Sequence, residues 1–218
     1  MSYTGHLAPR VWAIVVAAGA GTRFGNAKPY AELGGRRILD WSLDAAGRAA
    51  GGVVLVVTDD RRADPEPGAQ VVVAGGATRS DSVRRGLAAV PAGATVVLVH
   101  DAARPLAGDD LFISVLAALA DPADPPDAVV PGVAVVDTMR RRTGGTVDRE
   151  GVVAVQTPQG FRADALRRAH QGDPEGTDDA SLVEAAGGRV VIVPGNPRNL
   201  KITRPSDLAV AEALLEEA

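Results

Sequence analysis

Cysteine is absent from this 218-residue chain. Disulfides, thiolate nucleophiles and Cys-ligated metal sites are therefore excluded, and a reducing compartment fits. Aromatic residues make up only 3% of the sequence, so the core must be built from small aliphatics. Ala, Val, Leu and Gly in that role suit helices packed closely on a parallel sheet. Lysine is scarcer than any other cation should be: Lys28 and Lys201 stand against twenty-one arginines. Long hydrophobic runs are missing, since none approaches the ~20 residues of a membrane span. A net charge of −4 argues against nucleic-acid binding through bulk charge, while leaving room for a local anion site.

What is present is apolar: 46% of the residues are hydrophobic, enough for a sizeable core. The length suits one α/β domain, taken here as 1–218. The apolar run after Arg10 has the outline of a signal peptide. Its Val and Ile content, and its passage into a glycine loop, favour a buried strand instead. A cytoplasmic protein without a membrane segment is expected.

Continuous apolar runs at 11–17, 53–57, 71–73, 96–99, 128–130 and 190–193 read as strands buried on both faces. Segments 38–49, 80–89, 109–120, 162–170, 177–186 and 206–217 read as helices, with Ser206 as an N-cap after Pro205. This alternation predicts a three-layer α/β/α sandwich with a mostly parallel, Rossmann-like sheet and ligands at the carboxyl ends of the strands. Residues 137–149 break the rhythm. They are polar and basic around Gly144-Gly145, which predicts a protruding β-hairpin arm. Isolated hairpins are marginal in water. An arm at about 137–153 should therefore pack on a second subunit, making a homodimer.

Three segments carry chemistry. The first is Gly19-Ala20-Gly21-Thr22-Arg23, followed by Lys28. Glycines after a strand let backbone N–H groups approach phosphates. The loop lacks the Gly-Lys-Ser/Thr of a P-loop and the third glycine of a dinucleotide fingerprint, which weakens a dehydrogenase reading. Its amides, guanidinium and ammonium suit a triphosphate. Lysine is a compact point charge and arginine a planar fork, so the retention of Lys28 and Lys201 suggests that both ammonium groups touch one polyphosphate. The second segment is His100-Asp101-Ala102-Ala103-Arg104. Asp101 ends a predicted strand, where one carboxylate plus phosphate oxygens would suit Mg²⁺. His100 reads as a packed, hydrogen-bonded residue rather than a catalyst. The third is residues 75–83, where Gly76, Asp81 and Ser82 read either as ordinary helix capping or as a base reader.

Seven motifs then follow one another. They are Ala-Ala-Gly-x-Gly-x-Arg at 17–23, Arg-x-Asp-Ser-Val at 79–83, His-Asp-Ala-Ala-Arg-Pro at 100–105, Asp-Thr-Met at 137–139, Gln-Thr-Pro-Gln-x-Phe at 156–161, Thr-Asp-Asp-Ala-Ser at 177–181 and Asn-Leu-Lys-Ile-Thr-x-Pro-x-Asp at 199–207. In this order they resemble the 2-C-methyl-D-erythritol 4-phosphate cytidylyltransferases of non-mevalonate isoprenoid synthesis. The resemblance implies the nucleotide-diphospho-sugar transferase type of fold. It implies that Gly19, Gly21, Arg23 and Lys28 hold the CTP triphosphate, with Ala17 and Ala18 also binding the nucleotide. Gly76, Asp81 and Ser82 would surround cytosine and ribose. Asp101 would sit by nucleotide and Mg²⁺, and Lys201 against the α-phosphate. Arg104, Thr138, Arg149 and Thr157 would meet the polyol phosphate, with Thr138 and Arg149 serving the partner subunit's site. The family usually has Pro and Gln around the loop lysine; this chain has Ala27 and Pro29. It also has Arg198 where an acidic residue often stands.

The reaction so implied is CMP transfer from CTP to 2-C-methyl-D-erythritol 4-phosphate. A phosphate monoester has a second pKa near ~6, so it is already largely dianionic and needs no general base. Positioning and charge neutralisation by Arg23, Lys28, Lys201 and Mg²⁺ would then carry catalysis. Two rivals remain at the level of the residues: a cytidylyltransferase for another polyol phosphate such as ribitol 5-phosphate, and a non-catalytic nucleotide-binding module.

Overall fold

The apolar runs pair side by side as central strands, as their continuous hydrophobicity requires. A computed structural model describes residues 10–19 and 28–217. In chain order these form β1 (Val11–Val16), β2 (Glu32–Leu33), β3 (Arg36–Arg37), α1 (Ile38–Ala49), β4 (Gly52–Val57), β5 (Val71–Ala74), α2 (Arg79–Ala89), β6 (Val96–Asp101), α3 (Asp109–Leu119) and β7 (Ala128–Ala134). There follow β8 (Met139–Arg140), β9 (Thr146–Val147), β10 (Val153–Val155), β11 (Gln159–Arg162), α4 (Ala163–Ala169), α5 (Asp179–Ala185), β12 (Val190–Pro194) and α6 (Ser206–Glu216).

Among the described residues one sheet of eight strands runs β10-β7-β11-β6-β1-β4-β5, with β12 also on β7. Strands β4 and β6 flank β1 in parallel register, Ile14 facing Val54 on one side and Val99 on the other. β12 lies parallel to β7, while β10 and β11 run antiparallel to their neighbours. The sheet is mostly parallel, as expected. Successive residues of a strand face opposite sides. Leu55 and Val57 therefore join α1 and α3 on one face. Val54 and Val56 join α2, α4 and α5 on the other. These are the three layers. A smaller cluster of Leu33, Ile38, Ile202 and Ala211 seats α6.

Three expectations need correction. Residues 159–162 form β11, inserted between β6 and β7, where no strand was expected; Arg162, expected to open a helix, ends this strand instead. Residues 153–155 form a further strand. Ser206 is the first residue of α6, and Pro205 takes the N-cap position. The Asp207 carboxylate accepts from the backbone N–H groups of Thr203 and Arg204 and so ties the preceding loop to the first turn of α6. The hairpin is present as expected: Met139 pairs with Val147 and Arg140 with Thr146. Gly144 and Gly145 supply positive φ angles of 100° and 84°.

Helix α2 lies so close to the sheet that a Cβ on Gly86 would stand 2.7 Å from Ile14 Cγ2 and 2.9 Å from Val56 Cγ2. Gly→Ala inside a helix gains up to about 1 kcal/mol in propensity, but overpacking costs about 1–3 kcal/mol. Overpacking should win. Gly86→Ala is expected to lower the unfolding free energy by about 1 kcal/mol, and a urea titration reads it. A stabilised variant would mean that helix and sheet can part without cost.

Candidate active site

The site begins where β6 ends. Burial is nearly complete along that strand up to Asp101. The Asp101 backbone N–H donates to Thr157 Oγ1 at 3.0 Å, and the same oxygen meets His100 Nδ1 at 3.1 Å. His100 is fully buried and packs on Phe112, ring centres 5.3 Å apart. Burial lowers its pKa to about 4, so the imidazole stays neutral. It is the packed residue that was expected, and it is sealed away from any ligand.

The Asp101 carboxylate meets two cations. Lys201 Nζ donates to Oδ2 at 2.5 Å, and an Arg79 nitrogen stands 3.5 Å from Oδ1. Burial works to raise the pKa of Asp101. Lys201, then Arg79, outweigh it and hold the group well below the usual carboxylate range. Arg79 is the mirror case: burial opposes its charge, but Asp179 and Asp101 keep its pKa above the ordinary value.

Lys201 reaches Asp101 because its loop is stapled down. Buried Asn199 donates from Nδ2 to the Thr157 carbonyl at 2.9 Å. Gln156 Nε2 donates to the Asn196 carbonyl at 2.8 Å. Arg104 donates to the Asn199 carbonyl at 2.7 Å, and Ile202 N–H to the Ala103 carbonyl at 2.8 Å. The connection between β12 and α6 is thus tied to residues 156–157 and to the segment just after β6.

The glycine loops meet at the carboxyl ends of β1 and β5. A Cβ on Gly75 would fall 2.2 Å from Ala18 Cβ, and one on Gly76 only 1.6 Å from Asp81 Oδ2. Both positions require glycine for close approach. Asp81 Oδ2 accepts from Ala77 N–H and Ser82 Oγ from Gly76 N–H, each at 3.0 Å. Both side chains therefore hold the loop that precedes α2, while the N-cap itself is Thr78, whose hydroxyl accepts from the Asp81 N–H at 3.1 Å.

Two cavities share a wall here. The smaller, about 150 Å³, is lined by Ala17, Gly19, Lys28 and Pro29 on its loop side. The larger, about 490 Å³, is lined by Arg104, Gln156, Thr157 and Asp178 among others. Arg79, Asp101 and Lys201 belong to both. The two lysines of the chain thus line one cavity. Gly21 and Arg23 lie outside the described residues. Thr157 does reach the larger cavity, but its hydroxyl is engaged by Asp101 and His100. Thr138 and Arg149 line neither cavity; Arg149 is exposed on the arm and donates to the Val136 carbonyl at 2.6 Å.

The profile of the IspD family, 2-C-methyl-D-erythritol 4-phosphate cytidylyltransferase, matches residues 11–217. The chain belongs to this family. A 2-C-methyl-D-erythritol 4-phosphate cytidylyltransferase of Frankia casuarinae is 46% identical over 220 residues, covering 95% of this chain and 82% of that protein. A bifunctional enzyme IspD/IspF of Clavibacter michiganensis is 44% identical over 95% of this chain, which spans 55% of that protein's length. The crystal structure of the Thermus thermophilus 2-C-methyl-D-erythritol 4-phosphate cytidylyltransferase superposes with a TM-score of 0.80 at 37% identity, over 93% of this chain and 98% of that one.

Within this family's frame, Asp101 has the chemistry that Mg²⁺ needs. Among the described residues no three His, Asp or Glu side chains gather into a metal cage. An all-protein site is not what Mg²⁺ prefers: one or two carboxylates, waters and substrate phosphates suffice. Asp101, anionic and shared by both cavities, fits that role. The sequence alone did not single out Arg79, although Arg-x-Asp-Ser-Val contains it, nor the stapling by Gln156 and Asn199. The signal was there in Arg-x-Asp-Ser-Val: the arginine opens α2, and helix starts favour anions rather than cations. Among the described residues no helix is long and apolar enough to cross a membrane.

Proposed function

We propose that CMP transfer takes place at the wall between the two cavities, with the triphosphate of CTP in the smaller and the polyol phosphate in the larger. The reaction itself comes with the family: CTP and 2-C-methyl-D-erythritol 4-phosphate give 4-diphosphocytidyl-2-C-methyl-D-erythritol and pyrophosphate, a step of isoprenoid precursor synthesis. The observation that supports the placement is the shared lining by Arg79, Asp101 and Lys201.

A phosphate oxygen of the polyol phosphate forms the new bond to the α-phosphorus. The bond from that phosphorus to the bridging oxygen breaks, and pyrophosphate leaves with the electron pair. Two anions must be brought together, so neutralisation and alignment decide the rate. Lys201 would bear on the α-phosphate and Lys28 on the outer phosphates, with Gly19 and, by resemblance, Gly21 and Arg23 completing the cradle. Arg104 would receive the polyol phosphate. When bound, Mg²⁺ would neutralise phosphate charge beside Asp101. Neutral, sealed His100 is no general base, and a dianionic phosphate needs none.

Pyrophosphate release decides the reading. CTP with 2-C-methyl-D-erythritol 4-phosphate is expected to give the highest kcat/KM among nucleotides and polyol phosphates. Comparable values with ATP, GTP or ribitol 5-phosphate would overturn it.

The chain acts as one catalytic domain carrying an arm, and the arm makes a homodimer. Val136, Met139, Val152, Val153 and Val155 are exposed on or beside it. That is more bare apolar surface than a two-strand hairpin should keep in water. Thr138 and Arg149 would then complete the partner's larger cavity. Mixing Arg149→Ala with Lys201→Ala subunits tests this. Some heterodimers should hold one intact site and recover activity above either parent. No recovery despite proven subunit exchange would mean that the sites are not shared.

A further inference from the structure

Arg79 lies on the wall of both cavities, with its side chain 25% exposed. Its two terminal nitrogens are held very differently. One donates to Asp179 Oδ2 at 2.7 Å, a full charge-assisted bond. Asp179 is completely buried. Its second oxygen meets His170 Nε2 at 3.1 Å, and the His170 side chain is itself buried. The other Arg79 nitrogen stands 3.5 Å from Asp101 Oδ1, too far for the ~2.7–2.9 Å of a formed charge-assisted bond. One edge of the guanidinium is clamped, and the other faces the wall with a loose partner.

A buried carboxylate–arginine pair is weak evidence for stability, because packed apolar residues often do as well. Its placement has more to say. Asp179 and His170 come from the helices behind the sheet, and together they aim Arg79 at the carboxylate that Lys201 also holds. A planar fork fixed at one edge can offer the other to a phosphate oxygen with little further ordering. We infer that Arg79 is a further catalytic residue of the transfer. It gives its Asp101-facing edge to a phosphate oxygen of the reacting pair, and Asp179 and His170 are the positioning residues that aim it. This rests on the CMP-transfer reading above.

The test measures kcat, both KM values and CTP affinity for the wild type, Arg79→Ala, Arg79→Lys, Asp179→Asn and His170→Gln, with thermal melts alongside. Because Lys201 remains in place, Arg79→Ala should lose about 30-fold in kcat, less than the removal of a sole stabilising donor. Arg79→Lys keeps the charge without the fork and should recover only part of that loss. Guanidinium at sub-denaturing concentration should restore turnover to Arg79→Ala, which a merely structural role would not allow. Asp179→Asn should lower kcat by about 10-fold with CTP affinity held, and His170→Gln by less. Should Arg79→Ala fail to fold, Arg79→Lys and Asp179→Asn still carry the test. Near-wild-type kcat in both Arg79→Lys and Asp179→Asn, beside an active wild type, would overturn the role of Arg79 alone. A wild type that releases no pyrophosphate from CTP and 2-C-methyl-D-erythritol 4-phosphate would overturn the transfer reading, and this inference with it.

Discussion

Replacing Lys201 by arginine is expected to cost at least ~100-fold in kcat, on the order of 2.7 kcal/mol. The charge is kept, so a merely solvated cation would lose nothing. Lys201 is not that. Its ammonium sits 2.5 Å from Asp101 Oδ2, at the end of a loop fixed through Asn199 and Ile202. A guanidinium is longer and planar. It would find a two-pronged bond to the same carboxylate more favourable, drawing the charge away from the point where the α-phosphate must be met. Fold stability should change by no more than about 0.5 kcal/mol, since the side chain is 44% exposed and a partner remains. CTP affinity should weaken less than turnover, because charge on the α-phosphate shifts most in the transition state. Steady-state pyrophosphate release with calorimetric CTP titration separates the two. A near-normal kcat would show that this lysine stands among arginines by chance.

Asp101→Asn should be costlier, about 1,000-fold in kcat or roughly 4 kcal/mol. The amide keeps the shape and loses the charge. Three functions would go together: the anchor for Lys201, the loose partner of Arg79 and the carboxylate suited to Mg²⁺. The stability cost should be smaller than the 3–5 kcal/mol that breaking a fully buried pair can bring. Lys201 can turn to water, and Arg79 keeps its bond to Asp179. The expected signature is therefore a folded protein with a modestly lowered melting temperature, near-normal secondary structure and almost no turnover. Full activity in this variant would remove Asp101 from the mechanism.

Much of this arrangement is legible in the sequence. Strands covered on both faces carry unbroken Val and Ile runs, so β1, β4 and β6 announced themselves; β12 carries such a run too, although Ile192 is 56% exposed. Helix α1 was legible to its last residue. Gly19 after one strand, an aspartate ending another and two retained lysines, singled out at distant places in the chain, line one cavity. Motif order added the family and with it the reaction.

Other features were beyond the reach of local pattern. β11 is Gln-Gly-Phe-Arg, polar and glycine-bearing, and it follows Pro158; it reads as a loop. It is a central strand because α3 lies so close that a Cβ on Gly160 would meet Val115 at 2.6 Å, and because β6 and β7 leave a slot for one antiparallel strand. The aim of Arg79 depends on Asp179, exactly one hundred residues further along the chain, just as the geometry of Asp101 depends on Lys201. The sequence by itself determined which residues could be strands, helices and phosphate ligands, since those follow from periodicity, glycine freedom and side-chain charge over a few neighbouring positions. Only the tertiary structure decided which of the charges meet, because each pairing is set by loop lengths, by close helix–sheet packing and by buried amides such as Gln156 and Asn199 that must find hydrogen-bond partners somewhere.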